Sequence, residues 1–385
     1  MAVEIYIIGA GPAGCATALA LKKAALAGAS ALNIHLVAEN EKPLPIIGET
    51  IPPAATEYLR ALDAEAILDG THLPCPGSIS VWGDEHAGYN DFLFSPIGRA
   101  YHLHRRQFNQ QLLQLCESRG VTVLPDTQLK SVDRQGARCT LELKGPSGTS
   151  TAIRGDFVVD ASGIGAVLAR KLGVARNEFD CVVSICAIYD LPRETDTPAH
   201  TLVCAVEKGW WYVARLPGKK AIVSFCTDAQ NLKQYPFKHR HYWHRYFLQT
   251  RWLKQQCEQQ FQWEFPLPAA LCTRVSPSAI LSNCVGEGWL AVGDAASSYD
   301  SMSSAGISKA LHQGALAGQA LANYLSSGND EFLSRYQDQV FRDFRQFLVL
   351  HQQSYRREQR YPHAGFWQRR YRGIQTSVPA YIDSI

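Results

Sequence analysis

Three short segments, far apart in the chain, carry residue types suited to holding a nucleotide. Gly9-Ala10-Gly11-Pro12-Ala13-Gly14 follows the apolar run Val3–Ile8 and opens the Ala- and Leu-rich stretch Ala13–Leu26. In that strand–turn–helix setting Gly9 permits the tight turn and Gly11 lets backbone amides approach a pyrophosphate. Gly14 lets helix and strand pack closely, and the helix N-terminus faces the phosphate charge. Glu39 ends the next apolar run, Asn33–Ala38, where a carboxylate can take ribose hydroxyls; Asn40 follows it. Near the other end of the chain, Gly293-Asp294 closes a strand and Ser303-Ser304-Ala305-Gly306 opens a helix. An Asp there can hold ribityl hydroxyls while the amides of Ser304, Ala305 and Gly306 face the carbonyl edge of a flavin ring. Alone, such an Asp is equally a helix cap; with the first loop it converts a generic nucleotide site into an FAD site. Arg105 stands before a helical segment, where a guanidinium can clamp the pyrophosphate, with Arg106 as the alternative.

The elements that must position these residues follow from the hydrophobic patterns. Val3–Ile8, Ala13–Leu26 and Asn33–Ala38 form a βαβ unit. Arg105–Arg119 has helical spacing, Val121–Leu124 is a strand, and Leu129–Leu143 with Ile153–Val159 reads as a β-meander ending at Asp160-Ala161-Ser162-Gly163. Val182–Ile188, Thr201–Val206, Trp210–Leu216 and Ala221–Phe225 read as an antiparallel sheet, with turns at Lys208-Gly209 and Pro217-Gly218. Residues 237–263 are helical. Gly288–Val292 is the last core strand, Gly306–Leu325 the helix behind it, and residues 331–361 another long helix.

At 385 residues and 46% hydrophobic content the chain supports two intertwined domains with a large core. Its net charge of +3 is too weak to argue for nucleic acid. The eleven cysteines are scattered without a CxxC pair, which reads as thiols in a reducing compartment and gives no zinc or iron–sulfur spacing. The N-terminal apolar run lacks a basic flank and flows into the glycine loop, so it reads as a core strand. No apolar stretch is long enough for a membrane span. A cytoplasmic location and no metal are the expectations.

The glycine loop, Arg105, Asp160-Ala161-Ser162-Gly163 and Gly293-Asp294 together resemble the group A flavin monooxygenases, the p-hydroxybenzoate hydroxylase type. Gly48-Glu49-Thr50-Ile51-Pro52-Pro53 is similar to the GES-type loop of flavin-dependent halogenases and their relatives. Gly209-Trp210-Trp211-Tyr212-Val213-Ala214-Arg215-Leu216-Pro217 is similar to their GWW-containing strand, and Asp300-Ser301-Met302-Ser303-Ser304-Ala305-Gly306 to their DPLSSxG loop. Glu358-Gln359-Arg360-Tyr361-Pro362 with Phe366-Trp367 resembles their C-terminal signature. The halogenases use a lysine some tens of residues after the GES-type loop; this chain has no Lys between Lys42 and Lys130, and the comparable region reads Pro74 to Trp82. The halogenase strand pattern GWxWxIP is also altered, and Ser301 stands where the family usually has Pro. The better resemblance is to the LodB/GoxB-type flavoproteins, which help to build a cysteine tryptophylquinone cofactor in a partner oxidase.

The resemblance implies an α/β fold of the GR2 (p-hydroxybenzoate hydroxylase) type. A Rossmann-like FAD-binding domain would be formed by residues 1–75, 100–175 and 285–330. A mostly antiparallel substrate sheet would be inserted at 76–99 and 176–284, with a C-terminal helical region at 331–385. It implies an enzyme, a monooxygenase using FAD and O2, that hydroxylates a tryptophan side chain in a precursor of a quinone-cofactor oxidase or dehydrogenase. NAD(P)H or an external reductase would supply electrons. The FAD contacts it implies include Gly9, Gly11, Pro12, Ala13, Gly14, Glu39, Asn40, Gly48, Thr50, Arg105, Leu129, Gly293, Asp294, Ser304, Ala305 and Gly306. Glu49, Ser301, Trp210 and Tyr212 are its catalytic candidates. Alternation puts Trp210 and Tyr212 on one strand face and Trp211 on the other, where sheet packing is as good an account as an indole pocket. His102 and His104, two apart at a strand end just before Arg105, could face the flavin together, though packing is the better account of each. The basic residues Arg356, Arg357, Arg360, Arg369, Arg370 and Arg372 read as a solvated face or a dock for an acidic partner. A small-molecule aromatic hydroxylase, a halogenase, and a non-catalytic FAD-binding maturation chaperone are the competing functions.

Overall fold

The computed structural model describes residues 2–26, 31–39, 50–92, 95–136, 138–192, 199–262 and 264–372. A six-stranded sheet runs Val285–Gly286, Trp289–Ala291, Phe157–Asp160, Val3–Ile8, Leu32–Ala38, Thr122–Pro125. Its four inner pairings are parallel, and only the outermost hairpin is antiparallel. Ile5, Ile7, Leu36, Val158, Val159 and Leu290 are buried, the continuous apolar pattern that parallel strands covered on both faces require. Strands from both ends of the chain therefore share one layer.

Two helices on this sheet are pressed together to an unusual degree. Pro12–Leu26 and Gly306–Ser327 touch through Gly314 and Gly318. A Cβ at Gly314 would lie 2.6 Å from Ala16 Cβ and 2.7 Å from Ala13 O; one at Gly318 would lie 2.6 Å from Ala20 Cβ and 2.8 Å from Thr17 O. The contacts climb both helices in the same direction, so the helices are parallel. Both begin on the side of the carboxyl ends of the strands Val3–Ile8 and Trp289–Ala291, the second helix starting before the first, since Gly314 already lies against Ala13.

The second sheet has eight strands, in the order Ser297–Ser298, Cys272–Leu281, Arg176–Asp190, Lys220–Thr227, Gly209–Leu216, Thr201–Val206, Gly77–Val81, Ala87–Asp91. All pairings are antiparallel except that of Thr201–Val206 with Gly77–Val81. One face packs Trp211, Val213 and Phe225 against Trp243, Phe247 and Phe261 of the helices Arg240–Gln249 and Arg251–Phe261. The opposite face meets Met302 and the C-terminal helices Glu331–Arg357 and Gly365–Tyr371. Among the described residues no helix is long and apolar enough to cross a membrane.

The expected α/β class with an inserted, mostly antiparallel sheet is the one observed. Particular elements differ. Ile153–Val159 is two strands: Ser150–Gly155 closes the meander, and Phe157–Asp160 enters the parallel sheet. Asp156 Oδ2 accepts from Glu4 N at 3.0 Å at the break. The strand containing Val182–Ile188 extends over Arg176–Asp190, because pairing to Cys272–Leu281 continues past its apolar part. Cys272–Leu281 itself carries Pro277 and alternates weakly, so periodicity does not show it. The long helix stops at Arg357, short of residue 361.

Glycine to alanine or valine ordinarily helps or is neutral in a helix, by about 1 kcal/mol. At Gly318 the sign should reverse. Gly318→Val is expected to lower stability by about 1–3 kcal/mol and to release flavin, read by thermal unfolding and by flavin absorbance after gel filtration. Unchanged flavin retention would contradict the packing described.

Candidate active site

At the junction of the two helix N-termini the glycines divide into crowded and open ones. A Cβ at Gly9 (φ +116°) would lie 2.3 Å from Ala161 O, and one at Gly14 only 2.0 Å from Gly9 O. Gly293 (φ +64°) sits 2.7 Å from Ala13 Cβ by the same measure. These three lock loop, strand and helix together. At Gly11 and Gly306, by contrast, an added Cβ would meet nothing within 4 Å. The turn is buttressed by Asp160, which is buried and accepts from Ser162 N, Ser162 Oγ and Ala169 N at 3.1, 2.5 and 2.8 Å. Burial raises its carboxyl above the ordinary value, and these bonds oppose the rise.

Asp294 is 40% exposed and stands at this junction, balanced from beneath. Buried Lys309 donates to Asp294 Oδ1 at 2.7 Å and to Ser297 O, with its ammonium 4.3 Å from the Tyr299 ring centroid. Burial lowers the Lys309 pKa and the Asp294 charge opposes that. Arg176, held by Ile164 O and Ser298 Oγ at 2.7 Å each, is a second cation nearby; burial lowers its pKa and the Asp294 charge opposes that.

The loop leading to Gly306 is anchored at Asp300, which is 1% exposed. Asp300 Oδ1 accepts from Met302 N at 2.9 Å and shapes the turn Ser301–Ser303. Its Oδ2 accepts from Tyr355 Oη at 2.7 Å and His351 Nε2 at 3.1 Å. His351 also lies 3.5 Å from Asp180, whose other oxygen takes Arg370 at 2.9 Å; Arg370 and Arg369 both reach Asp228. Burial alone would lower the His351 pKa, but the hydrogen bonds and charges of Asp180 and Asp300 raise it to about 9. His351 is therefore a cation at neutral pH. Asp180, Asp300 and His351 come close enough to gather a metal ion, yet Arg370 and Tyr355 already occupy oxygens of both carboxylates.

The sheet face that meets this loop carries a row of directly opposed residues: Ser80, Val203, Tyr212, Ser224, Cys186, Cys272. Beside Ser224 and Tyr212, Cys226 contacts the hydroxyls of Ser184, Ser224 and Ser301; burial pushes its thiol up to about 12 against those bonds. Tyr212 Oη is 2.8 Å from Thr50 Oγ1, Thr50 Oγ1 is 2.9 Å from His102 Nδ1, and His102 Nε2 is 3.0 Å from Ala199 O. The directions are determined. A carbonyl only accepts, so His102 Nε2 carries the hydrogen. Burial lowers the His102 pKa to about 4, so the ring is neutral and Nδ1 accepts from Thr50. Thr50 then accepts from Tyr212, and the Tyr212 oxygen meets any further partner as an acceptor.

The structure brings Gly9, Gly11, Pro12, Ala13, Gly14, Gly293, Asp294, Ser304, Ala305 and Gly306 to one junction. Glu39 is exposed at the end of its strand and accepts from Gln128 at 2.7 Å. Arg105 opens the helix Arg105–Ser118, with its guanidinium 6.0 Å from the Phe108 ring centroid, and Leu129 is buried in the core. Asn40, Gly48 and Glu49 lie outside the described residues. Tyr212 and Trp210 share a face as expected, but Trp210 is buried and donates to Tyr355 Oη at 3.2 Å, packing with Trp82. The two histidines do not act together: His102 is buried in the chain to Tyr212, whereas His104 is exposed and caps Gln107 N. The basic face is also revised. Arg356, Arg357 and Arg372 are exposed, while Arg360, Arg369 and Arg370 turn inward to the buried Glu358 and Asp228 and the partly buried Asp180, which need counter-charges. Lys309, His351 and Tyr355 escaped the sequence reading. The one available signal was Lys309, a lone ammonium in the otherwise small and apolar first turns of its helix.

Comparison with known proteins decides the family. Residues 86–381 match the model described as tryptophan halogenase. The chain belongs to the tryptophan halogenase family. It is 28% identical over 375 residues to LodB of Marinomonas mediterranea, assigned as an FAD-dependent oxidoreductase, with 96% of each chain covered. Its fold is that of CmlS, a flavin-dependent halogenase (TM-score 0.80, 22% identity, 100% of this chain and 70% of that one). It is also that of QhpG, a peptidyl tryptophan dihydroxylase essential for tryptophylquinone cofactor biogenesis (TM-score 0.76, 22% identity, 96% and 79%). This member of the tryptophan halogenase family is an FAD-dependent oxidoreductase. The open cradle at Gly11 and Gly306, between two helix N-termini and beside the half-exposed Asp294, fits that cofactor.

The His351 pKa carries a pH signature. It is raised from 6.5 to about 9 on folding, so its contribution is complete below about 6.5 and is lost as pH rises through about 9. That contribution is on the order of 3 kcal/mol. Denaturant titrations of the protein and of His351→Gln at about pH 7 and about pH 10 should show the wild-type advantage shrinking at the higher pH. A difference independent of pH would show that His351 is not a buried cation.

Proposed function

We propose that this flavoenzyme is a monooxygenase that hydroxylates a tryptophan side chain in a partner precursor protein, during biogenesis of a tryptophylquinone-type cofactor. The observation that carries the reading is the row Ser80, Val203, Tyr212, Ser224, Cys186 beneath the flavin-side loop. Its half-buried Ser80, Val203 and Tyr212 would meet an aromatic ring, with buried Ser224 and Cys186 behind them. The strand Gly77–Val81 presents Ser78 and Ser80 there, and the chain has no lysine between Lys42 and Lys130 to supply the halogenase ammonium. The likeness to LodB along the whole chain, and to the fold of a peptidyl tryptophan dihydroxylase, supports a protein-borne substrate.

In this reading residues 1–75, 100–175 and 285–330 hold FAD, and 76–99 with 176–284 receive the substrate. Gly11 and Arg105 would hold the pyrophosphate, Glu39 the ribose, Asp294 the ribityl chain and the amides of Ser304–Gly306 the ring edge. When bound and reduced by NAD(P)H or an external reductase, FAD would supply electrophilic oxygen from O2. The protein's part is positioning: Tyr212, its hydroxyl donating to Thr50, would accept from the indole N–H, and the Asp300 network fixes the loop height. Because the indole ring is itself electron-rich, no protein base would be required beforehand; Glu49 is the candidate to take the ring proton afterwards. The eleven free cysteines suit a reducing, cytoplasmic setting.

Co-expression of a quinoprotein precursor with this chain should add oxygen to one tryptophan, read by mass spectrometry. Halogenated tryptophan from assays with chloride or bromide would overturn the reading. Gly11→Val separates enzyme from chaperone. Its side chain enters open space, so folding should survive, while FAD binding and hydroxylation are lost. Partner maturation by the flavin-free variant would establish the chaperone role. Tyr212→Phe should raise KM for the tryptophan-bearing substrate about three- to tenfold, the value of one hydrogen bond, with a smaller effect on kcat. An unchanged KM would remove Tyr212 from substrate recognition.

A further inference from the structure

At the end of the row across the sheet lie two thiols. Cys186 and Cys272 are directly opposed in the antiparallel pairing of Arg176–Asp190 with Cys272–Leu281. Directly opposed residues of such a ladder stand about 4.5–5.5 Å apart at Cα, within the span a disulfide bridges. Both belong to a small cluster with Ala214, Leu216 and Ile222, against Tyr212. Cys272 Sγ donates to Cys186 O at 3.5 Å, and Cys186 Sγ lies 3.1 Å from Ser224 Oγ. We propose that Cys186 and Cys272 form a peroxide-sensing or peroxide-quenching pair, in which hydrogen peroxide oxidises Cys272 and Cys186 resolves it into a reversible cross-strand disulfide.

The two thiols are unequal in the way this requires. Cys272 is partly exposed at the start of its strand, whereas Cys186 is buried. The hydrogen bond from Cys186 and the charge of Arg274 bring Cys272 down to about 7 against its burial, and the Cys186 thiol is pushed well up. Burial instead raises Cys181 to about 11 and Cys204 and Cys226 to about 12. The thiolate is the nucleophile. Its sulfur attacks one peroxide oxygen, the O–O bond breaks, and hydroxide leaves to become water, giving a sulfenic acid on Cys272. The Cys186 sulfur then displaces the hydroxyl, which departs as a second water with the Cys186 proton. Two thiols and one peroxide yield one disulfide and two waters.

Only the origin of the peroxide rests on the flavin reading, since a flavoenzyme that meets O2 without its substrate releases hydrogen peroxide. The experiment adds peroxide directly to the purified full chain, so its failure leaves the hydroxylase reading intact. After blocking and digestion, mass spectrometry should find a Cys186–Cys272 peptide pair short by two hydrogens and restored by dithiothreitol. In Cys186→Ser, dimedone should label Cys272 at least about tenfold faster than Cys181. Absence of that pair in the wild-type protein, or preferential oxidation of another cysteine, would overturn the proposal without recourse to any variant.

Discussion

The arrangement depends first on a contact made possible by missing side chains. Gly314 and Gly318 let the helix Gly306–Ser327 lie directly on Ala13, Ala16, Thr17 and Ala20 of the glycine-loop helix. Because the helices are parallel, two positive helix ends converge at one place. A single such end holds a phosphate. Two of them, above parallel strands separated only by Phe157–Asp160, suit an extended molecule with a phosphate at one end and an electron-rich carbonyl edge at the other. The electrostatics around it follow from the same packing: Lys309, in the first turns of the second helix, is buried by it and requires the Asp294 carboxylate beside the cradle.

A second constraint sets the height of the loop between them. Asp300 joins that loop to Tyr355 and His351 of the C-terminal helix, and Tyr355 in turn receives Trp210 from the large sheet. Three carboxylates, Asp180, Asp228 and Asp300, meet the cations His351, Arg369 and Arg370 in a largely buried cluster. The C-terminal region is thereby part of the site's framework. Removing one partner would leave a buried charge uncompensated, a far larger effect than the worth of any one pair.

Much of this was legible in the residues. The glycine loop, Gly293-Asp294 and the strand alternation of Trp210, Trp211 and Tyr212 each encode a local geometry, and local geometry is what spacing records. The ion cluster was not legible, because its members come from five separate segments and only folding opposes Asp180 to Arg370. Arg369 and Arg370 looked like a solvated face for the same reason: a charge run shows its sign but not its counter-ions. Trp210 was assigned by its face correctly, but which neighbours would cover that face depends on the C-terminal helices. The strand Cys272–Leu281 was hidden by Pro277, which sits beyond the two residues, Ala279 and Ile280, that pair with Ser297–Ser298.

The proposed oxygen transfer, to an indole held against the Tyr212 row, draws on each of these constraints. The most direct test is turnover of the tryptophan-bearing precursor under heavy-isotope oxygen gas, with ordinary water and with halide present. The account predicts that the added oxygen on tryptophan carries the heavy label. Oxygen drawn from water, or halogen in place of oxygen, would contradict it.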